Sequence, residues 1–498
     1  MNRRNDPGLG QWLTTAIIFF LGILLIYFLV QYSNIRAFMP TGIEVAGIPV
    51  GGLDSEGVRA RLSERYLTAP ITIIHGEERI ELSPERDADF RLDFDRMLSD
   101  AENRRDNQDY WSGFWSFLWG RSGNVDPVDL RATHDRDALR LSLEQIRTVY
   151  DQPAQPPQPV PATLSFLYGE TGRRTNIVES LANVENALYR PTNREATLVV
   201  EAVEPPRPNI NLLGSLIVNH LQSFNGTYSV FILDLENGDE FSINSGLPMS
   251  GMSLLKLPIA VEAMRNLDQE PNSRYQTLIS DTLLGSGNTS ANELLTFIAG
   301  EDVAGEGDAY FGVDRVTETM VELGLQNTFM VTPYDQEPRR NKETIETPAN
   351  TAPDIKTLPD PTMQSTAADL ASLFNMLYDC AMTGGGTFLA VYPESITQSE
   401  CLFLLEKLAE NKIGSLLEEG VPPGTIISHK HGWVSDTHGD AGVVFSPNGD
   451  YIVVILMYET DWLEWSESSP LMADISRATF NYFNFDTPWL SKQGIQGQ

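Results

Sequence analysis

A proline five residues after a serine limits how this chain can fold around position 253. In the stretch from Gly246 to Met264, Ser253 and Lys256 stand three apart, Leu254, Leu255, Leu257, Ile259, Ala260 and Val261 surround them, and Pro258 follows. Proline is tolerated only in the first turn of a helix, so a helix here begins close to Ser253. The i,i+3 spacing then sets the hydroxyl and the amine on one face. Free N–H groups and the dipole at a helix start favour a developing oxyanion. A lysine one turn on can take the serine proton if burial and positive neighbours lower its pKa. Ser-x-x-Lys is a common pattern by itself, but no lysine precedes Lys256 in the chain, so a chance match has few opportunities. The pair needs partners downstream.

A chain of 498 residues holds more than one domain. Its formal charge of −33 argues against nucleic acid as a partner and reads as a solvated acidic surface. Trp12 to Val30 carries no charge and is long enough to span a bilayer core. Arg3 and Arg4 precede it, which puts the N-terminus in the cytoplasm. A cleaved signal peptide is the rival reading, but the apolar run is longer than a usual signal core and no A-x-A site follows it directly. We therefore expect a single-pass anchor in the cell membrane over residues 12–32, with 1–11 a cytoplasmic tail and the chain from about Asn34 onward extracytoplasmic. Cys380 and Cys401 lie on that side, where a disulfide is permitted. Spacing alone leaves a bridge and two buried thiols both open.

Residues 41–206 read as a small α+β outer domain. Asp54 or Ser55 caps a helix running to about Arg65, and Ile71–Ile74 with Glu78–Leu82 form a hairpin across His75-Gly-Glu77. After the proline-rich Gln152–Pro161 come a strand at Ala162–Phe166, a helix from about Val178 to Leu188, and a strand at Glu195–Val200. The opening GIEVAGIPVGGLDSEGVRARL and closing ATLVVEAVEPPRP resemble the peptidoglycan-binding domain of VanW-like cell-surface proteins. The resemblance implies a module that faces the cell wall; a folded spacer is the other reading. Tyr110–Trp119 is strongly aromatic and reads as a buried loop of this domain, with the membrane interface as its alternative. Ala202–Ile210 is a stiff linker.

Residues 211–488 form the last domain. Helical periodicity covers Leu212–Phe224, and Tyr228–Asp234 and Glu240–Ile243 form a hairpin across Glu236-Asn-Gly238. A mainly helical stretch runs to about Leu408. Thr425–His429, Asp440–Phe445 and Tyr451–Met457 then read as strands, and a helix from about Ser468 to Tyr482 closes the chain. Strands at both ends with helices between them suggest one antiparallel sheet with a helical insertion. Two further segments are Ser286-Gly287-Asn288, continuing Thr-Ser-Ala-Asn-Glu-Leu-Leu, and Lys430-His431-Gly432, followed by Trp433.

With Ser253 and Lys256, these segments resemble, in order, the S-x-x-K, S-D-N and K-T-G elements of the class A β-lactamases and penicillin-binding D,D-peptidases. The resemblance implies an α+β fold with an antiparallel five-stranded sheet plus a helical subdomain. It implies Ser253 as acylating nucleophile, Lys256 as its proton partner, Ser286 as proton shuttle to the leaving nitrogen, and Asn288 as holder of the substrate amide. Lys430 would supply positive charge across the cleft, and the backbone N–H groups of Ser253 and Trp433 would form the oxyanion hole, with Gly432 and His431 beside the substrate. Two positions depart from the pattern. Gly287 replaces an Asp and removes a structural carboxylate, and His431 replaces a Thr and removes a hydroxyl donor.

Glu337-Pro-Arg-Arg-Asn341 matches the E-P-x-x-N loop of class A enzymes, which implies Glu337 as the base that activates the deacylating water; a solvated loop glutamate is the other reading. The implied substrates are a β-lactam or a peptidoglycan peptide, giving a β-lactamase or a D,D-carboxypeptidase or transpeptidase. A wall-binding protein with a degenerate site is a third reading, opposed by both lysines being present in a lysine-poor chain. His429-x-His431 with His438 and Asp440 hints at a metal hydrolase, but the H-x-H-x-D pattern needs Asp where Trp433 stands, so no metal or other cofactor is called for.

Overall fold

The computed structural model describes residues 9–107, 109–120, 126–267, 272–300, 308–339, 342–351 and 353–490. Two compact units divide the chain: Met1–Gln155 with Glu170–Pro205, and Pro156–Gly169 with Pro206–Gln498.

In the first unit, α1 (Leu9–Ile35) contains a stretch, Trp12–Ile35, long and apolar enough to cross a membrane. Its 24 residues rise about 36 Å as a helix, more than a bilayer core requires. α2 (Ser55–Ser63) starts where Asp54 accepts a hydrogen bond from the Gly57 N–H. β1 (Ile71–His75) and β2 (Glu78–Leu82) form the expected hairpin. Tyr110–Trp119 departs from its sequence reading. It is a helix, α3 (Tyr110–Leu118), capped by Asp109, with Trp111, Trp115 and Trp119 exposed rather than buried in a loop. The aromatic residues recur every three to four positions, and that period suits a helix with two faces. α4 (Arg136–Tyr150) and α5 (Ile177–Leu188) follow. β3 (Glu195–Thr197) pairs in parallel with β1, while Val200–Val203 leaves that line and pairs with Gly172–Thr175.

Residues 156–169 fall in the second unit, inside the range read from sequence as outer domain. Their short hairpin buries Leu164 and Phe166 in a core shared with α6 (Ile210–His220), and that apolar contact outweighs chain order.

The second unit is α+β. Its five-stranded antiparallel sheet runs in the order β5 (Glu240–Ile243), β4 (Thr227–Asp234), β8 (Tyr451–Tyr458), β7 (Thr437–Phe445), β6 (Ile426–Trp433). β8 reads Tyr-Ile-Val-Val-Ile-Leu-Met-Tyr because both of its faces are buried. Tyr451, Val453, Ile455 and Met457 join one core with α6 and the C-terminal helix, while Ile452, Val454, Leu456 and Tyr458 join a second core with the helical insertion. That insertion contains α7 (Lys256–Arg265), α8 (Ser273–Leu283), α9 (Asn288–Ala299), α10 (Ala309–Glu322), α11 (Ala367–Tyr378) and α12 (Gln398–Ala409). α13 (Trp465–Phe483) closes the unit.

Cys380 and Cys401 are bridged, joining the turn after α11 to α12. The bridge closes a loop with a sequence separation of 21. Closure of that length stabilises the fold by about 3 kcal/mol. Thermal unfolding with and without dithiothreitol should therefore show a drop of several degrees on reduction. The same treatment should leave the Cys380→Ser/Cys401→Ser variant unmoved; an equal drop in that variant would put the effect elsewhere.

Candidate active site

Ser253 sits in a 3-10 turn, Met252–Leu255, that leads directly into α7. Lys256 is the first residue of α7 and Pro258 the third, so the proline's missing N–H falls where no intrahelical bond is lost. The Tyr334 hydroxyl donates to the Met252 carbonyl at 2.8 Å and ties the turn down. Met252, Ser286 and Asp335 all have left-handed backbone, with φ of 52°, 53° and 59°. Such conformations each cost about 1–3 kcal/mol in ordinary residues and cluster where a site must be held in one shape.

Lys256 is fully buried, and its Nζ lies 3.0 Å from Ser253 Oγ. The same ammonium donates to Ser286 O at 2.5 Å and Asn288 Oδ1 at 2.7 Å, with Ser286 Oγ at 3.3 Å. The face of the Tyr334 ring lies 4.6 Å away. Lys430, also fully buried, reaches Ser286 Oγ at 3.1 Å from β6 and donates to the His431 carbonyl at 2.9 Å. Ser286 Oγ thus touches both lysines. Burial pushes Lys256 down to about 8, against an upward pull from Asp335 and Asp281. Burial, then repulsion by Lys256, pushes Lys430 down to about 7. An amine so shifted is neutral often enough at neutral pH to accept a proton from a hydroxyl.

Gly432 lies against the backbone of Ser253. A Cβ on it would fall 2.8 Å from Ser253 N and 2.9 Å from Met252 Cβ, so only glycine lets β6 approach that N–H. Gly287 is explained in the same way. A Cβ there would fall 2.5 Å from both Asp281 Oδ2 and Ser290 Oγ, so the Asp281 carboxylate of α8 fills the space that a side chain at 287 would use.

His431 is turned differently from Lys430. Its Nδ1 lies 3.2 Å from Asn411 Nδ2, and its ring stacks parallel to Trp433 at 5.4 Å. Burial and Lys430 lower its pKa to about 4, so the ring is neutral and Nδ1 accepts from the Asn411 amide. His429 shares that face, bonded through Nδ1 to Asp440 at 2.8 Å, as the two-residue alternation of a strand requires. The Trp433 indole is exposed and stands edge-on to Trp465.

Glu337 is exposed, and its backbone carbonyl accepts from the Tyr310 hydroxyl at 2.6 Å. Asn341, the last residue of the E-P-x-x-N match, lies outside the described residues. The carboxylate that meets the lysine network is Asp335, whose Oδ2 accepts from Asn288 Nδ2 at 2.8 Å. The sequence reading missed Asp335, Asp281 and Tyr334. It also missed Asn292, which exchanges two hydrogen bonds with the Tyr334 backbone. Only Asn292 left a local signal: it stands four residues after Asn288 on α9, and so on the same face.

A family model described as the "Beta-lactamase enzyme family" matches residues 213–483, more than half of the chain. Among solved structures, the chain is similar to a mutant of PBP-A in an acyl-enzyme complex with penicillin-G. That match has 20% identity and TM-score 0.42, covering 56% of this chain and 99% of that one. It is also similar to the TLA-1 extended spectrum β-lactamase, with 16% identity, TM-score 0.40, and 55% and 99% of the two chains covered. The β-lactamase from Sphaerobacter thermophilus DSM 20745 aligns at 16% identity and TM-score 0.42 over 56% and 100%. No curated protein matches the chain. With more than half its length matched by that family model, and with the five-stranded antiparallel sheet and helical insertion of the β-lactamase/D,D-peptidase fold, this chain belongs to the β-lactamase enzyme family.

Proposed function

We propose that the chain is a membrane-anchored, extracytoplasmic serine hydrolase that is acylated at Ser253 and hydrolyses β-lactam amide bonds. The observation that carries this reading is the run of short contacts from Ser253 Oγ through Lys256 Nζ to Ser286 Oγ and Lys430 Nζ. Neutral Lys256 takes the Ser253 proton as Oγ attacks the carbonyl carbon. The oxyanion accepts from the Ser253 and Trp433 N–H groups. As the C–N bond breaks, Ser286 gives its proton to the leaving nitrogen and regains one from a lysine. Protonated Lys430 holds the substrate carboxylate, and Asn288 holds the amide side chain. Water then cleaves the ester. α1 is the anchor, with Arg3 and Arg4 on the cytoplasmic side, and the bridged cysteines suit an oxidising compartment.

Deacylation needs a carboxylate near the ester, and Asp335 is the candidate because it is hydrogen-bonded to Asn288 and acts on Lys256 through its charge. Asp335→Asn should prolong the penicilloyl-enzyme by about a hundredfold or more, and Glu337→Gln by far less. The decay of a fluorescent penicillin label after a chase measures both. A larger effect at Glu337 would return the base to the E-P-x-x-N loop.

The exposed position of Glu337 favours a second reading, a D,D-carboxypeptidase or transpeptidase acting on peptidoglycan, which shares the acylation steps. Full-length protein in detergent, given fluorescent penicillin and a chromogenic cephalosporin, separates the two. Rapid turnover supports the first, a long-lived label on Ser253 supports the second, and neither label nor turnover overturns both.

A further inference from the structure

Tyr110–Gly120 contains no charged residue, and helix α3 divides its aromatic residues between two faces. The inner face packs on α1. The Tyr32 ring lies 5.3 Å from Tyr110, 5.8 Å from Phe114 and 5.7 Å from Phe117. At one end, the Tyr110 hydroxyl is 3.1 Å from Ser33 Oγ, and its ring is 5.2 Å from the Arg36 guanidinium. At the other end, Phe117 stands edge-on to Phe28 at 6.5 Å. α3 therefore runs back along α1, from the polar residues that follow the apolar stretch towards the stretch itself. Phe28 to Arg36 rises about 12 Å and Tyr110 to Phe117 about 10 Å, so the two segments match in length.

The outer face is a stripe of Trp111, Trp115 and Trp119, four residues apart and 56%, 50% and 73% exposed. Large indoles in a row beside the end of a spanning helix sit at the depth where tryptophan is favoured, between acyl chains and headgroups. Asp109, the cap of α3, lies at the polar end, where a carboxylate stays hydrated.

We propose that α3 is an interfacial helix whose tryptophan face enters the headgroup–acyl boundary of the outer leaflet, so that phospholipid occupies this surface and two adjacent helices hold the chain to the membrane. The inference rests on α1 spanning the bilayer. Because the native cysteines are bridged, a single introduced cysteine gives one labelling site on the full-length protein. A nitrobenzoxadiazole label is placed in turn at Trp115→Cys, Ser112→Cys, Gly22→Cys on α1 and Val178→Cys, the last an exposed position on α5. The protein is then reconstituted in phosphatidylcholine vesicles carrying an acyl-chain spin label. Ser112→Cys keeps all three tryptophans and guards against misfolding of the Trp115 variant.

Quenching at 115 and 112 should exceed that at 178 by about threefold or more, as at 22. Strong quenching at 22 with none at 115 and 112 overturns the proposal and leaves the anchor standing. No quenching at 22 removes the anchor, and the proposal with it. Labels at 115 and 112 shielded from both the lipid quencher and aqueous iodide mark a protein partner on this face and overturn the proposal.

Discussion

Ser253→Ala should abolish covalent capture of fluorescent penicillin, and Lys256→Ala should slow capture by about a thousandfold while the fold is retained. In the proposed reaction the serine supplies the only bond that capture forms. The lysine is the single amine within bonding distance of its oxygen among the described residues, at 3.0 Å. The pH profile of acylation identifies the pair. In the proposed reaction the reactive form has Lys256 neutral and Lys430 protonated. Burial brings Lys256 down to about 8, and burial with repulsion by Lys256 brings Lys430 down to about 7, so between these values the one remaining proton sits mostly on Lys256 and the reactive arrangement is the minor one of the pair. Below them both are charged and Lys256 cannot accept the Ser253 proton. Above them both are neutral and the substrate carboxylate loses its counter-ion. Acylation should therefore peak between about pH 7 and 8 and fall on both sides. Stopped-flow acylation over pH 5.5–9.5 tests this in wild type and in Lys256→Ala, where the acid limb should vanish; persistence of that limb would assign the base to another group.

Gly432→Ala should cost about a hundredfold to a thousandfold in acylation rate. The added methyl meets Ser253 N at 2.8 Å and Met252 Cβ at 2.9 Å. Neither atom can swing aside as the end of a long side chain would, so the strand must move. β6 is an edge strand, so it can shift outward without unfolding the sheet. That shift parts the Ser253 and Trp433 N–H groups, the proposed oxyanion donors. Acylation kinetics combined with a thermal melt separate the two kinds of loss. A rate within about threefold of wild type would show that this contact does not govern the oxyanion site.

Several features follow from sequence because they are local. Pro258 places the helix start, and the i,i+3 step places Lys256 over Ser253. The apolar run Tyr451–Met457 reads as a strand, found at Tyr451–Tyr458, and Trp12–Val30 reads as a helix of spanning length. Strand alternation separates Lys430 from His429 and His431 before any contact is known. Each of these depends on a periodicity complete within a dozen residues.

Packing between distant segments decided the rest. An E-P-x-x-N match cannot tell which carboxylate of a long loop meets a distant segment, and here the exposed Asp335 accepts from Asn288 across 47 residues. A glycine where an acid was expected looks like a loss until α8 brings Asp281 into its space. Two cysteines 21 apart bridge because the turn after α11 meets α12. The aromatic run at 110–119 gains a buried and an exposed face only when α1 lies against one side of it. Local sequence set which residues share a face; which faces meet was settled by burying apolar surface between segments far apart in the chain.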